Sequence, residues 1–281
     1  MVLVDFGAFN LRLAQTLRRL RYRGPIVYYF PPGAWLDNAK QARRVAAVAS
    51  PLTPFTHQRD FYAAQGREIA YFGHPLVSAF APRAARAPAP RDGGVVALLP
   101  GSRRGELSRH GPLMLRAARA LRATRPALEV ILAAADEDAA VMLRTHCSQA
   151  GIDATIVDGV AEAFARADVA CIASGTAVLE AALCEIPAVA TYVLSAAQAR
   201  IARRVYRGRW ITLPNLVSGT EIVPERLQDD ATPEQLCADL ERLLLDPSEQ
   251  LAHLRTLRPL LGPHDAIDRI AEHLLAVAST R

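Results

Sequence analysis

Lysine is almost absent from this 281-residue chain: Lys40 is the only one, so the net charge of +5 rests on arginine. Arginine in place of lysine in an alanine-rich chain suits a GC-rich genome as readily as a functional basic surface, and a basic surface would suit phosphorylated or nucleotide substrates and an anionic membrane face. The arginines are spread out and not interleaved with aromatics, which make up 6% of the residues, and this argues against a nucleic-acid groove. Cysteine is sparse too. Cys147, Cys171, Cys184 and Cys237 form no C-x-x-C pair and have no histidine at zinc-finger spacing, which predicts reduced thiols, no disulfide and no zinc. No apolar run approaches the roughly 20 residues of a membrane-spanning helix. The start, MVLVDFGAF, lacks the basic stretch, long apolar run and cleavage site of a secretory signal, so a cytoplasmic address is expected.

What is present is a regular alternation. Between about residues 94 and 194, short apolar runs at 95–99, 128–135, 154–158, 169–173 and 188–193 alternate with helix-period stretches such as PLMLRAARALRA and TAVLEAALCE. Strands apolar on both faces and linked by helices predict a parallel sheet covered on both sides, a Rossmann-like domain. Upstream, strands are expected at 2–6, 26–30 and 69–73, with NLRLAQTLRRLRYRG as a helix ending at Gly24. This is half of a doubly wound domain, and a buried strand at residue 2 would leave an unpartnered edge, so an incomplete N-terminal domain is expected. The predicted organisation is an N-terminal domain over 1–80, a Pro- and Ala-rich linker over 81–93, a second domain over 94–262 and a C-terminal helix over 263–281 that returns to the first. Helices are expected at 233–245, 247–260 and 264–279.

Four places can carry chemistry. In LLPGSRRGEL an apolar strand runs into Gly101, Ser102 and Arg103 and then a helix, so backbone N–H groups, a hydroxyl and a guanidinium meet where a phosphate binds. A plain strand-to-helix turn with a surface arginine would read the same way. In CIASGTAVLEAAL, Ser174, Gly175 and Thr176 sit at a similar turn, with Glu180 one helical turn on, placed to hold ribose hydroxyls; an ordinary capped helix is the alternative. Asn215 in LPNLVSG is either a ligand residue or turn chemistry. Asp5 closes the first strand at the edge where open α/β sheets place their ligands, as a general base or as a loop carboxylate. His74 in YFGHPL reads as a packed hinge residue. The basic stretch SAAQARIARRVYRGRW, with Ile201, Val205, Tyr206 and Trp210, suits an anionic lipid surface or a solvated crossover helix.

Taken in order, VDFGAFNLRLA, YYFPPGAW, YFGHPL, LLPGSRRGEL, ASGTAVLEAAL and LPNLVSG followed by VPERLQ resemble the lipid-A-disaccharide synthase family over about residues 2–275. The resemblance implies a GT-B fold of two Rossmann-like domains and an inverting, metal-independent glycosyltransferase without a cofactor. It implies that UDP-2,3-diacylglucosamine is joined to 2,3-diacylglucosamine 1-phosphate at the cytoplasmic face of the inner membrane, with a homo-oligomer compatible. It also assigns roles: Asp5 to acid/base catalysis, Arg103 to the leaving diphosphate, and Gly101, Ser102, Ser174, Gly175, Thr176, Glu180 and Asn215 to the nucleotide sugar. Two departures stand out. Ala8 occupies a position where the family usually has a second acidic residue, and the family's glycine-rich G-E-x-S-G-D opening is absent. A catalytically incompetent, truncated nucleotide-sugar-binding homologue and another UDP-sugar enzyme of the same fold are the alternative readings.

Overall fold

The computed structural model describes residues 1–32, 38–83, 90, 92–205 and 208–279. Trp35, most of the expected linker, Tyr206 and the side chains of Ile201 and Val205 lie outside the described residues. The chain divides into two compact units, one of residues 1–80 with 258–281 and one of residues 81–257.

The first unit opens with four parallel strands, β1 (Val2–Val4), β2 (Val27–Tyr29), β3 (Ser50–Thr53) and β4 (Ala70–Tyr71), paired in that order. The helices α1 (Gly7–Arg19), α2 (Ala39–Ala46) and α3 (Thr56–Ala64) make the crossovers, and α4 (Leu76–Ala79) follows β4. Of the opening strand only Leu3 is buried. Val2 and Val4 are 46% and 56% exposed, and among the described residues β1 pairs on one side only.

The first helix departs from expectation at both ends, running over 7–19 instead of 10–24. Its stop is a Schellman turn in which Arg21, at φ 61°, takes the left-handed position that glycine usually fills. The Tyr22 N–H donates to the Leu17 carbonyl and the Arg21 N–H to the Arg18 carbonyl. The Arg18 guanidinium then bonds the Tyr22, Gly24 and Val48 carbonyls, so the chain past the helix is held by a side chain in place of further helical turns.

Strand β3 is unexpected, because Pro51 argues against a central strand. Its missing N–H costs no ladder bond. Ser50 donates to Ile26 and Leu52 accepts from Phe30 on the β2 side, while β4 pairs only from Leu52 onward, so the Pro51 nitrogen faces a place with no strand partner.

The second unit alternates strands and helices in the order expected for a doubly wound sheet: β5 (Gly93–Leu99), α5 (Arg104–Thr124), β6 (Ala127–Ala134), α6 (Glu137–Ala150), β7 (Thr155–Asp158), α7 (Gly159–Arg166), β8 (Val169–Ala173), α8 (Thr176–Leu183) and β9 (Ala188–Tyr192). Then come α9 (Ala196–Val205), α10 (Leu213–Ser218), β10 (Glu225–Leu227), α11 (Pro233–Leu245) and α12 (Ser248–Arg255). All six strands are parallel, in the order β10-β9-β8-β5-β6-β7. Their apolar runs are continuous because both faces are buried: Leu98, Leu132 and Cys171 join the core under α5, α6 and α11, whereas Ala97, Ile131 and Ile172 join the core under α7 and α8.

The 247–260 stretch is two helices, α12 and then α13 (Leu257–Leu261), not one. After α13 the chain completes the first unit with α14 (Ala266–Ser279), whose Ile270 and Leu274 pack against Val27 and Leu52 of the β1–β4 sheet. The opposite sheet face, bearing Leu3 and Tyr28, packs on Leu11, Ala14 and Val45 from α1 and α2. The crossing from α13 is tight: a Cβ on Gly262, at φ +99°, would come within 2.7 Å of the Gly73 Cα.

Candidate functional site

A doubly wound sheet binds ligands where its strand order reverses, outside the carboxyl ends of the strands. In the second unit the chain leaves β5 toward β6 and β7, then returns to β8 on the other side of β5. The loops after β5 and β8 are therefore neighbours at the switch point, and they are the two that the sequence singled out. Gly101, Ser102, Arg103, Ser174, Gly175, Thr176 and Glu180 line one cavity of about 380 Å³. The end of β6 at Ala133 and Ala134, with Gly159, Val160 and Glu106, adds to the lining. Those additions escaped the sequence reading, although strand ends flanking the switch point would have indicated Ala134 and Gly159.

The β5 loop is shaped by close approach. Gly101 has φ +104°, and a Cβ there would lie 2.5 Å from the Glu106 Oε2 and 2.7 Å from its Cβ. Arg103 is the N-cap of α5 in an extended conformation. Its backbone N–H and its guanidinium donate to the Glu106 carboxylate, the latter at 2.9 Å. Burial pushes the Glu106 pKa up, but the bonds and charge from Arg103 outweigh it, and the net shift is downward. The carboxylate thus stays ionised and steers a guanidinium whose side chain is 81% exposed. Only part of the five-donor fork is used, which leaves the remainder for an anion.

The β8 loop differs. Gly175 caps α8 without a side-chain hydrogen bond, so the first amides of that helix are directed at the cavity, where the helix dipole favours negative charge. Glu180 is half-buried; burial raises its pKa, partly opposed by a hydrogen bond from the Thr176 hydroxyl. Two helix N-termini and one guanidinium facing a cavity can hold a diphosphate, and a partly desolvated carboxylate one turn in can accept hydrogen bonds from a sugar's hydroxyls.

Asn215 is not brought to this cavity. LPNLVSG forms the helix α10 where a turn was expected, with Pro214 in its first turn, and Asn215 is fully buried. Its side-chain oxygen accepts from the Ile222 and Val223 N–H groups, and its amide donates to the Val223 carbonyl and to Glu225. Glu225 also accepts from the Ile211 and Thr212 backbones and the Thr212 hydroxyl. The Asn215 side chain itself has protein on every side. Asn215→Ala is expected to cost about 3 kcal/mol, because buried partners lose their bonds, while UDP affinity of the folded protein is unchanged. Urea unfolding and calorimetry check this pair of outcomes, and a loss of affinity at unaltered stability would return Asn215 to the ligand.

In the first unit Asp5 directly follows β1, in the left-handed region at φ 47°, and is itself followed by Phe6 at φ 44°. Two non-glycine residues in succession there cost on the order of 1–3 kcal/mol each, a strain that clusters at functional sites. The turn is held by its backbone: the Tyr28 hydroxyl and the Asn10 amide both donate to the Asp5 carbonyl, and the Asp5 N–H donates to Tyr29. The residue itself is exposed. His74 is buried against Phe30 and Phe55, its Nδ1 accepts from the Leu76 N–H, and burial lowers its pKa to about 4.

A family profile described as Lipid-A-disaccharide synthetase matches residues 1–264. The chain is 36% identical over 291 residues to the lipid-A-disaccharide synthase of Anaeromyxobacter dehalogenans strain 2CP-1, covering 98% of this chain and 74% of that protein. To the enzyme of Pseudomonas aeruginosa strain UCBPP-PA14 it is 36% identical over 293 residues, covering 100% and 76%. Among solved structures, UDP-GlcNAc 2-epimerase from Neisseria meningitidis, bound to UDP-GlcNAc, superposes with a TM-score of 0.64 at 10% identity, over 98% of this chain and 76% of that one. A spinosyn rhamnosyltransferase complexed with thymidine diphosphate gives 0.57 at 15% identity, over 96% and 72%. These likenesses give the fold, which is α/β of GT-B type with two Rossmann-like units, and the sequence matches give the family. By profile and by relatives alike, the chain belongs to the lipid-A-disaccharide synthetase family.

Proposed function

We propose that this glycosyltransferase joins UDP-2,3-diacylglucosamine to 2,3-diacylglucosamine 1-phosphate, releasing UDP and forming the β-1,6-linked disaccharide phosphate from which lipid A is built. The observation that carries this reading is a cavity at the sheet's switch point lined by both phosphate-type turns, in a chain of this family. The relatives named above are synthases of that disaccharide, and a structural neighbour was solved with a UDP-sugar.

Asp5 takes the proton from the acceptor 6-hydroxyl, whose oxygen attacks the donor's anomeric carbon on the face opposite UDP. The C–O bond to the diphosphate breaks, the configuration inverts, and the electron pair leaves with UDP. Arg103 and the N-termini of α5 and α8 stabilise the negative charge on that leaving group, and Glu180 holds the ribose. Residues 1–80 with the C-terminal helix serve as the acceptor side, and the second unit as the donor side. Asn215 acts by positioning the 211–225 segment.

Both substrates carry acyl chains, so a peripheral seat on the cytoplasmic face of the inner membrane fits the chemistry, with Arg200 and Arg204 of α9 facing anionic headgroups. Among the described residues, no helix is long and apolar enough to cross a membrane.

Incubation with labelled UDP-diacylglucosamine and the monosaccharide phosphate should yield one disaccharide phosphate per UDP released, in the presence of a chelator. Release of UDP without disaccharide, or epimerisation of the donor sugar, would refute the assignment.

A further inference from the structure

His110 is fully buried on α5, two turns beyond Arg103, and none of the steps above uses it. Its Nε2 accepts the Val193 backbone N–H at 2.9 Å, which requires the ring proton to sit on Nδ1. Nδ1 lies 3.1 Å from the Pro100 carbonyl oxygen and donates to it. Pro100 is the residue immediately before Gly101, where the β5 loop begins to line the cavity. The adjacent side chain on the helix, Arg109, donates from Nε to the Val193 carbonyl at 2.8 Å. Both polar atoms of one backbone residue beyond β9 are therefore held from α5, and the Tyr192 hydroxyl reaches Glu106 on the same helix.

We propose that His110 is a positioning residue for the diphosphate turn: its neutral imidazole holds the Pro100 carbonyl, fixes where the Gly101–Arg103 amides point, and ties that turn to the end of β9. This rests on reading the switch-point cavity as the UDP-sugar site. A glycine at φ +104° following a proline gives the loop little intrinsic preference for one shape, so a fixed carbonyl at its start decides the direction of the next N–H groups. The surroundings favour the neutral ring. Burial lowers its pKa, as does the Arg109 charge; the Pro100 and Val193 bonds and the Glu106 charge oppose this, and the balance is downward. The Tyr192 ring packs against the imidazole at a tilt of 35°, with centroids 5.2 Å apart.

The test separates the two nitrogens. His110→Asn keeps a short N–H donor near the position of Nδ1, whereas His110→Gln keeps an acceptor near the position of Nε2. UDP binding to the full chain, measured by calorimetry, is expected to stay within about twofold of wild type in His110→Asn and to weaken about tenfold in His110→Gln, the loss of one buried hydrogen bond at the loop. A merely structural histidine would lower both unfolding midpoints and leave UDP affinity alike in the two variants. Equal affinities in both, whether both weakened or both unchanged, therefore overturn the proposal. Failure of the wild type to bind UDP overturns the reading of the cavity instead. Should both variants fail to fold, nitrogen-15 NMR of histidine-labelled wild type decides: an Nδ1–H tautomer at His110 with a resonance that moves on saturation with UDP is expected. An Nε2–H tautomer, or a resonance indifferent to UDP, overturns the role.

Discussion

Arg103→Ala is expected to lower kcat for disaccharide formation by about two to three orders of magnitude, the loss seen when one preorganised donor to a developing anion is removed. The expectation follows from where the guanidinium stands. Its side chain is 81% exposed, it borders the cavity, and Glu106 holds one of its nitrogens at 2.9 Å without enclosing the rest. Stability should fall by about 1–2 kcal/mol, because Glu106, whose side chain is 12% exposed, loses a charged hydrogen-bond partner, although its bond from the residue 103 N–H and the backbone cap of α5 remain in the variant. Arg103→Lys should recover only part of the rate, since a point charge cannot bridge a carboxylate and a phosphate with one planar fork. Steady-state rates with saturating donor, beside unfolding curves, check both statements. A rate within about threefold of wild type would remove Arg103 from the transition state, given the magnitude that such donors supply.

The second large effect is at Asp5. Asp5→Asn should reduce kcat by about 10²- to 10⁴-fold, the range of general acid–base contributions, while UDP affinity stays at the wild-type value. Asparagine is close in shape, accepts the left-handed backbone at least as readily as aspartate, and preserves the bonds that Tyr28 and Asn10 make, since these go to the residue 5 carbonyl. The unfolding midpoint should therefore stay level or rise slightly. This combination, a folded protein that binds UDP but does not turn over, distinguishes a lost base from a collapsed turn. Normal turnover in Asp5→Asn would end its role as the base.

How much of this was legible beforehand depended on burial. The strands of the second unit announced themselves because both faces of a covered parallel sheet select apolar residues: Val169–Ala173 matched the expected run residue for residue, and its neighbours did so within two. The first unit was harder. Pro51 hid a strand whose one unusable nitrogen faces no partner, and Arg21 ended a helix where the usual glycine signal pointed three residues further on. The short, half-buried β10, with Glu225 and Arg226 in a run of three, has no apolar signature at all. At the cavity, the motif residues come together because backbone amides and a guanidinium follow directly from a strand-turn-helix pattern. Asn215, read by the same logic, lies outside that cavity: polar residues at a turn look alike whether they face a ligand or the 222–225 backbone. Glu106 sits inside the LLPGSRRGEL string without being singled out by it and His110 lies beyond it, and the importance of both lies in side chains that reach back along the helix to the loop before it.

The return of α14 to the β1–β4 sheet has a consequence for biosynthesis. Val27 and Leu52 emerge from the ribosome before the β5–β10 sheet, yet the helix that shields them is translated only after that entire sheet. Vectorial synthesis then inverts the common N-terminal-first order of folding. The nascent first sheet must wait, half-clothed, while its younger neighbour matures, and a chaperone that shelters exposed sheet faces would serve it during that interval.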